Sequence, residues 1–208
     1  MKNIKRKISL GLSFIALGAF IACNGNENKK SNGNSSDEHF NSVDDYEEVY
    51  IPNAHIGGAT DITDSYFALK DALAGDNEEG AKESASILIQ ALSYVNTGDQ
   101  DGGYVNEELV GLLEDLEGLA RQITSSDIKG QREAFANMTE IMVDVYRITG
   151  IDRVIYVQYC PMYDNNKGGY WLSGEPNIYN PLFGSEMLEC GIIEAELNSN
   201  LQDEAPVS

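Results

Sequence analysis

Residues 126–150, SDIKGQREAFANMTEIMVDVYRITG, decide the fold. Apolar side chains recur here at helical spacing and share one stripe: Ile128, Phe135, Met138, Met142, Val145 and Tyr146. Such a period predicts an amphipathic helix that buries one face. The helix is expected to begin near Ser126 and to end at Gly150, because glycine readily takes the backbone conformation that closes a helix. On this interpretation the two methionines fill the core.

Three similar stripes precede this one. The first comprises Ile62, Tyr66, Leu69 and Leu73, and stops at Gly75. The second is expected to begin at Asp76, with Glu79 at capping-box spacing, and to comprise Ala81, Ala85, Leu88, Ile89, Leu92 and Val95. The third follows a polar loop, residues 99–106, and comprises Leu109, Leu112, Leu113, Leu116, Leu119 and Ile123. Four such helices with short loops predict a mainly α protein, an up-down antiparallel four-helix bundle.

After Gly150 the sequence pattern changes. Residues 154–159, VIYVQY, are β-branched and aromatic and predict a strand. Residues 164–169, DNNKGG, predict a turn, and residues 170–172 a second short strand. A lone hairpin is marginally stable in water, so we expect this hairpin and the irregular tail after it to pack on the bundle. The folded domain is predicted to span residues 59–195, with residues 196–208 disordered.

The hairpin and tail contain four sulfur-bearing residues. Met162 follows Cys160 by two residues, and Met187 precedes Cys190 by three. Thiolate and thioether sulfurs are the ligands that Cu(I) prefers over hard ions. Cys160, Met162, Met187 and Cys190 are therefore a candidate soft-metal site. Zinc is a weaker candidate because it would need further Cys, His or carboxylate ligands, which the sequence does not place at zinc spacing.

A disulfide between Cys160 and Cys190 is the alternative. An even pair of cysteines in an exported domain usually forms a bridge. Closing this loop would stabilise the fold by roughly 3–4 kcal/mol on the chain-entropy model. A bridge explains both cysteines but gives no role to the methionines, so the sequence leaves both interpretations open.

Catalysis is not predicted. The two histidines, His39 and His55, precede the bundle, so Cys160 has no histidine base within the domain. The sequence contains no CxxC redox motif, no phosphate-binding loop and no GxSxG nucleophile motif. No pair of acidic residues stands out as an acid/base couple. We therefore expect a protein that is not an enzyme.

Several segments resemble an uncharacterised bacterial family, domain of unknown function 3347. They are YFALKDAL at residues 66–73, QREAF at 131–135, QYCPM at 158–162, GYWLS at 169–173, NPLFG at 180–184 and MLECG at 187–191. The resemblance extends over about residues 60–193. The family has no established activity, so the resemblance implies no particular reaction.

The proteins to which members of this family are fused suggest a context for the four sulfur-bearing residues. Members of the resembled family are common in Bacteroidota as secreted proteins or lipoproteins, and some are fused to periplasmic adaptor subunits of heavy-metal efflux systems. The CPM sequence at residues 160–162 is also similar to the core of small heavy-metal-binding modules in such adaptors. By resemblance, the chain is expected to be a copper-binding or efflux-accessory protein, with an efflux adaptor as partner and Cu(I) as ligand.

The first 23 residues predict export and lipidation. Four positive charges, at residues 2, 5, 6 and 7, precede an apolar run over residues 8–22 that is short for a permanent membrane span. The run ends in FIAC, which resembles the lipobox of bacterial lipoproteins. Residues 1–22 are therefore expected to be a signal peptide, and Cys23 the lipidated residue. The mature protein is predicted to be anchored to the periplasmic or outer-membrane face of the cell envelope.

Residues 23–58 are predicted to be a disordered tether, rich in Asn, Ser, Lys and Gly in its first part. Signal-peptide cleavage removes four positive charges and no negative ones, so the formal net charge falls from −20 to about −24. A chain this acidic repels nucleic acid and anionic lipid headgroups, so we exclude nucleic acid as a partner. The predicted membrane contact is the lipid on Cys23 alone.

Overall fold

Four long helices make up more than half of the chain that the computed structural model describes, residues 56–95, 97 and 105–198. The helices are α1 (Ala59–Ala74), α2 (Glu78–Leu92), α3 (Glu107–Ser125) and α4 (Ile128–Thr149). Each packs against the next one along the chain, and α4 also contacts α1 and α2. The predicted mainly helical bundle is therefore confirmed.

Side-chain caps begin three of the helices. Asn77 accepts a hydrogen bond from the Gly80 amide at 3.0 Å at the start of α2, and Asn106 caps α3 in the same way. Asp127 accepts from the Gly130 amide at 3.0 Å and caps α4. Such caps satisfy backbone amides that have no partner within the helix. The predicted capping residue of α2, Asp76, is wrong by one position: Asn77 is the cap, and Asp76, with a left-handed φ of 54°, lies in the turn before it.

The predicted apolar stripes form the core. Side chains from all four helices are fully buried, among them Ile62, Tyr66, Leu69, Leu88, Leu109, Leu116, Phe135, Met138 and Met142. Both helical methionines pack in this core, as expected from the stripe. Stripe residues at the margins are partly buried: Ile89, Leu112, Leu119 and Ile128. The spacing of apolar residues therefore predicted which face of each helix is buried.

A three-stranded antiparallel sheet follows the bundle. Its strands are β1 (Ile155–Cys160), β2 (Gly169–Ser173) and β3 (Ile192–Leu197), in the order β2-β1-β3. The predicted hairpin is β1 with β2, which pair with Gln158 opposite Trp171. β3 pairs with the other edge of β1, with an irregularity between Val157 and Gln158. The sequence predicts an irregular tail in this region, and that prediction is wrong for β3.

The hairpin turn has an unusual backbone. A short helical turn, Tyr163–Asn166, contains three residues with positive φ, at 42°, 59° and 67°: Asp164, Asn165 and Asn166. Asp and Asn tolerate this left-handed region better than other non-glycine residues. A second short element, the 3₁₀ turn Gly184–Glu186, lies in the segment between β2 and β3.

The sheet packs on the bundle through buried groups. Trp171 and Leu172 of β2 are fully buried and belong to the main core. The Tyr66 hydroxyl of α1 accepts a hydrogen bond from the Leu172 amide at 3.2 Å, and the Thr139 hydroxyl of α4 donates to the Tyr170 carbonyl at 3.2 Å. Direct bonds from two helices thus fix β2 in place.

The structure bears on only part of the predicted domain limits. β3 ends at Leu197, two residues beyond the predicted end of the domain at residue 195. The predicted signal peptide, Cys23, nearly all of the predicted tether and residues 199–208 lie outside the described residues. Within the described part of the chain, none of the helices combines the length and apolar character needed to cross a bilayer.

Candidate functional site

The two domain cysteines lie side by side. Cys160 is the last residue of β1 and is fully buried, while Cys190 lies two residues before β3 and is partly exposed. Both are free thiols, and their Sγ atoms are 2.7 Å apart. A disulfide bond is about 2.05 Å long. The two sulfurs are therefore within about 0.7 Å of bonding distance.

Strand pairing explains why the thiols meet. β1 and β3 are antiparallel neighbours, and Tyr159 lies opposite Ile192. Cys160 follows Tyr159, and Cys190 precedes Ile192 by two residues. The register therefore brings the cysteines to the same end of the sheet.

One buried side chain holds the segment that carries Cys190. Asn180 is fully buried, and its side-chain amide donates to the Cys190 carbonyl at 2.8 Å. Its side-chain oxygen accepts from the amides of Leu182 and Phe183, at 2.8 and 3.2 Å. The main-chain N–H of Asn180 donates to the Leu188 carbonyl at 2.8 Å. Residues 180–190 are thus organised around a single asparagine, because buried polar groups need such partners.

The predicted methionine ligands border Cys190 through their main chains. The main chain of Met162 lies close enough to the Cys190 thiol to influence its pKa, and the Met187 carbonyl accepts a hydrogen bond from the Cys190 amide at 3.0 Å. Their side chains reach the surface, where Met162 is 48% exposed and Met187 39%. The structure therefore brings the two thiols into contact and places the main chains of both methionines beside Cys190. Within the described residues there is no cluster of three or more His, Cys, Asp or Glu side chains suited to a metal ion.

The Cys190 thiol is stabilised in its protonated form. The hydrogen bond with Cys160 and, after it, burial raise its pKa to about 11, while the Met162 amide opposes the shift. The thiolate is the form that attacks disulfides and binds metals. At neutral pH the reduced Cys190 is therefore a weak nucleophile.

The buried side chain of Gln158 ties the strand that carries Cys160 to neighbouring segments. The Gln158 amide of β1 donates to the carbonyls of Glu175 and Asn177, at 3.0 and 3.2 Å. Its oxygen accepts from the Trp171 indole at 2.7 Å. Gln158 is fully buried and thereby ties β1 to the segment after β2.

Arg132 fastens the Cys190 segment to the bundle. Its guanidinium donates to the carbonyls of Pro181 and Leu73, at 3.1 and 3.0 Å, and forms an ion pair with Asp76. Asp76 in turn accepts from the Ser185 amide at 3.1 Å. Hydrogen bonding with Ser185 and, after it, with Arg132 lowers the pKa of the Asp76 carboxyl. One arginine therefore links α4, the end of α1 and residues 181–185.

Sequence reasoning missed these supporting residues. Gln158, Asn180 and Arg132 lie within the segments that resemble the family, but no local pattern indicates their structural roles. The available signal was polar residues inside apolar or turn-rich segments, since such residues, when buried, are hydrogen-bonded. Their long-range bonds could not be read from the sequence, because the partners in those bonds lie 10 to 59 residues away.

A model of the family described as "Protein of unknown function (DUF3347)" matches residues 62–153. The match runs from α1 to the end of the helical bundle, and includes the quoted segments at residues 66–73 and 131–135. The resemblance to this family is thus confirmed over the helices. The sheet and both cysteines lie beyond the matched residues. No curated protein and no solved structure matches the chain.

Proposed function

We propose that this chain, whose helices resemble a family of unknown function, is a lipid-anchored envelope protein with a structural or protein-interaction role. On this proposal Cys160 and Cys190 form a disulfide, and Cys23 carries the lipid. The bridge holds the end of β1 against the segment before β3. The domain then offers a rigid surface to a partner and performs no chemistry of its own.

The distance between the two sulfurs supports the bridge most directly. The Sγ atoms are 2.7 Å apart. Two thiolates that share one metal ion, at bond lengths of about 2.3 Å, lie roughly 3.7–4.6 Å from each other. Forming a disulfide needs a smaller displacement than admitting a metal ion between the thiols. The predicted export supplies the oxidising compartment in which a bridge persists.

A copper-binding role is the second candidate. The observation in its favour is that the main chains of Met162 and Met187 both border Cys190, while both thioether side chains reach the surface. If the thiols separate, Cys160, Met162, Met187 and Cys190 would hold Cu(I) as two thiolates and two thioethers. An efflux adaptor would be the partner in that case.

Counting thiols tests the proposal. We would isolate the full chain carrying Cys23→Ser from the envelope without reductant, unfold it, and titrate its thiols. The bridge predicts none before reduction and two after it. Two reactive thiols in the unreduced protein would overturn the bridge.

Titration with Cu(I) tests the second candidate on the same material. A copper site predicts that the reduced protein binds one Cu(I), and that the Met162→Leu/Met187→Leu variant binds it more weakly. Equal affinity of the two proteins would leave the methionines without a role and would reject the four-sulfur site. Met138→Leu is the matched control, because that methionine is buried in the helical core.

A further inference from the structure

An open groove of about 1030 Å³ runs along one side of α4. The helix forms one wall. The hairpin turn and the start of β2, residues 163–170, form the other together with residues 182–186. Pockets for single small molecules are mostly about 300–1,000 Å³. The groove lies at the upper end of this range, so it has room for a side chain together with part of its main chain.

The wall opposite α4 is held in place from two sides. Arg132 and Asp76 bind the segment that carries Phe183 and Glu186, through Pro181 and Ser185. The contact between Cys160 and Cys190 joins the same two stretches of chain, because Tyr163 follows the first cysteine by three residues and Glu186 precedes the second by four. The groove is therefore preformed, which reduces the entropy lost on binding.

Aromatic rings line this wall. The rings of Tyr163 and Phe183 form an edge-to-face pair with centroids 6.0 Å apart, and both line the groove together with Tyr170. Tyr163 and Phe183 are partly buried, so part of each side chain remains accessible. The face of an aromatic ring carries negative charge density and attracts cations.

The ion pairs within the groove neutralise its cations. Lys167 pairs with Asp164 at 2.7 Å and Lys129 with Glu133 at 3.7 Å, while Arg132 pairs with Asp76. Among the described residues, no cation lies within ion-pair distance of the exposed carboxylate of Glu186. Burial and, after it, the charges of Glu133 and Asp164 raise the pKa of the Tyr163 phenol. The groove is lined by four carboxylates and three cations, so its lining carries a net negative charge.

We propose that this groove binds a basic segment of a partner protein, with a lysine or arginine head group against Tyr163 and Phe183 and between Glu133 and Glu186. The inference rests on the proposed interaction role and specifies the surface that performs it. The whole chain carries a formal charge of −20, which attracts a basic segment and repels an acidic one. A methylene stem packed on the rings and a charged head at the carboxylates match the groove's mixed lining.

The test measures binding of a labelled ten-residue peptide of alternating lysine and glycine to the full chain in detergent. Fluorescence anisotropy reports the binding at 0.05–0.15 M salt, roughly the range over which screening of exposed charges becomes strong. An acidic peptide of alternating glutamate and glycine and a neutral oligosaccharide serve as competing probes. The groove variant is Glu133→Gln/Glu186→Gln, and Tyr163→Leu removes the ring while keeping an apolar side chain.

The matched control is Glu114→Gln/Asp115→Asn. This variant also removes two exposed carboxylates, but from α3, outside the groove. We expect the groove variant to weaken binding of the lysine peptide about tenfold, since each exposed charge pair contributes up to about 1 kcal/mol. Tyr163→Leu is expected to weaken it about threefold, and the control less than twofold. If Tyr163→Leu does not fold, the two charge variants carry the test.

Three results would overturn the proposal that the groove binds a basic segment. They are wild-type affinity in the groove variant, equal weakening in the control, or preferred binding of the acidic or neutral probe. Failure of the bridge is a separate result. It would be seen as free thiols in the unreduced protein. The ratio between the lysine-peptide affinities of the groove variant and the control would not change.

Discussion

The hydroxyl of Tyr66 lies 2.9 Å from the hydroxyl of Thr139, inside the bundle. Tyr66 belongs to α1 and Thr139 to α4, and both side chains are buried. Because Tyr66 also accepts from the Leu172 amide and Thr139 donates to the Tyr170 carbonyl, the pair binds the sheet to the bundle. The Tyr66 ring stacks on Phe135 with centroids 4.9 Å apart.

Replacing Tyr66 with phenylalanine tests this connection. The ring and its stacking remain, while the buried Leu172 amide loses its acceptor. An unsatisfied buried group costs about 1–3 kcal/mol, so the free energy of unfolding should fall by about that amount. Urea denaturation measures it. Tyr94→Phe is the control, since that side chain is 77% exposed, and an equal loss in both variants would contradict the assignment.

Arg132→Met should destabilise the protein more than any substitution of an exposed arginine. It removes bonds to two carbonyls and to Asp76 while keeping part of the buried stem. Hydrogen bonds of charged groups contribute about 1.5–3 kcal/mol, so we expect a loss of about 2–3 kcal/mol. Arg121→Met removes only a surface pair with Glu117 and should cost less than about 0.5 kcal/mol. Similar losses in the two variants would show that Arg132 does not fasten the segment.

Asn180→Ala should loosen the segment that carries Cys190. The Cys190 carbonyl and the amides of Leu182 and Phe183 all lose their partner. We expect a loss of about 2–4 kcal/mol in the free energy of unfolding, and slower formation of the proposed disulfide on oxidation of the reduced protein. Refolding followed by quenching of free thiols measures the second effect. Asn177→Ala, at an exposed position, is the control and should reoxidise at the wild-type rate.

The reduced protein should lose stability in alkali as the Cys190 thiol ionises. The oxidised protein has no such thiol and should not show this loss. In the folded state the pKa of Cys190 is raised from 9.0 to about 11. The folded form then binds a proton that the unfolded form has already released, so the contribution is complete below pH 9 and disappears as the pH rises to about 11. Unfolding of both forms by urea across this range measures the difference. A constant difference between them would contradict the shift.

The sequence predicted the helical part of the fold well. The four stripes, such as Ile62 to Leu73 in α1, state which face is buried because the helical period is a local property. The β1–β2 hairpin was equally accessible, since its turn joins neighbouring strands. β3 was missed because its partner precedes it by more than 30 residues and its own sequence, IIEAEL, does not alternate cleanly.

For the candidate site, the sequence supplied the residue types and the structure supplied their arrangement. Cys160 and Cys190 could be identified as a pair, but bridge and metal were equally compatible with their spacing. The 2.7 Å contact favours the bridge because it is far shorter than a shared metal requires. The groove was not foreseen, since its walls are assembled from α4 and from two segments on either side of β2.

The sequence by itself determined that this protein is a helical bundle followed by a sulfur-bearing hairpin, because hydrophobic periodicity and turn residues act over a few positions. Tertiary structure alone decided which polar groups fasten the sheet, how close the thiols lie and where a groove opens. Those features depend on contacts such as Arg132 with Pro181, between residues 49 positions apart. Such contacts follow from packing the whole chain, and no local pattern encodes them.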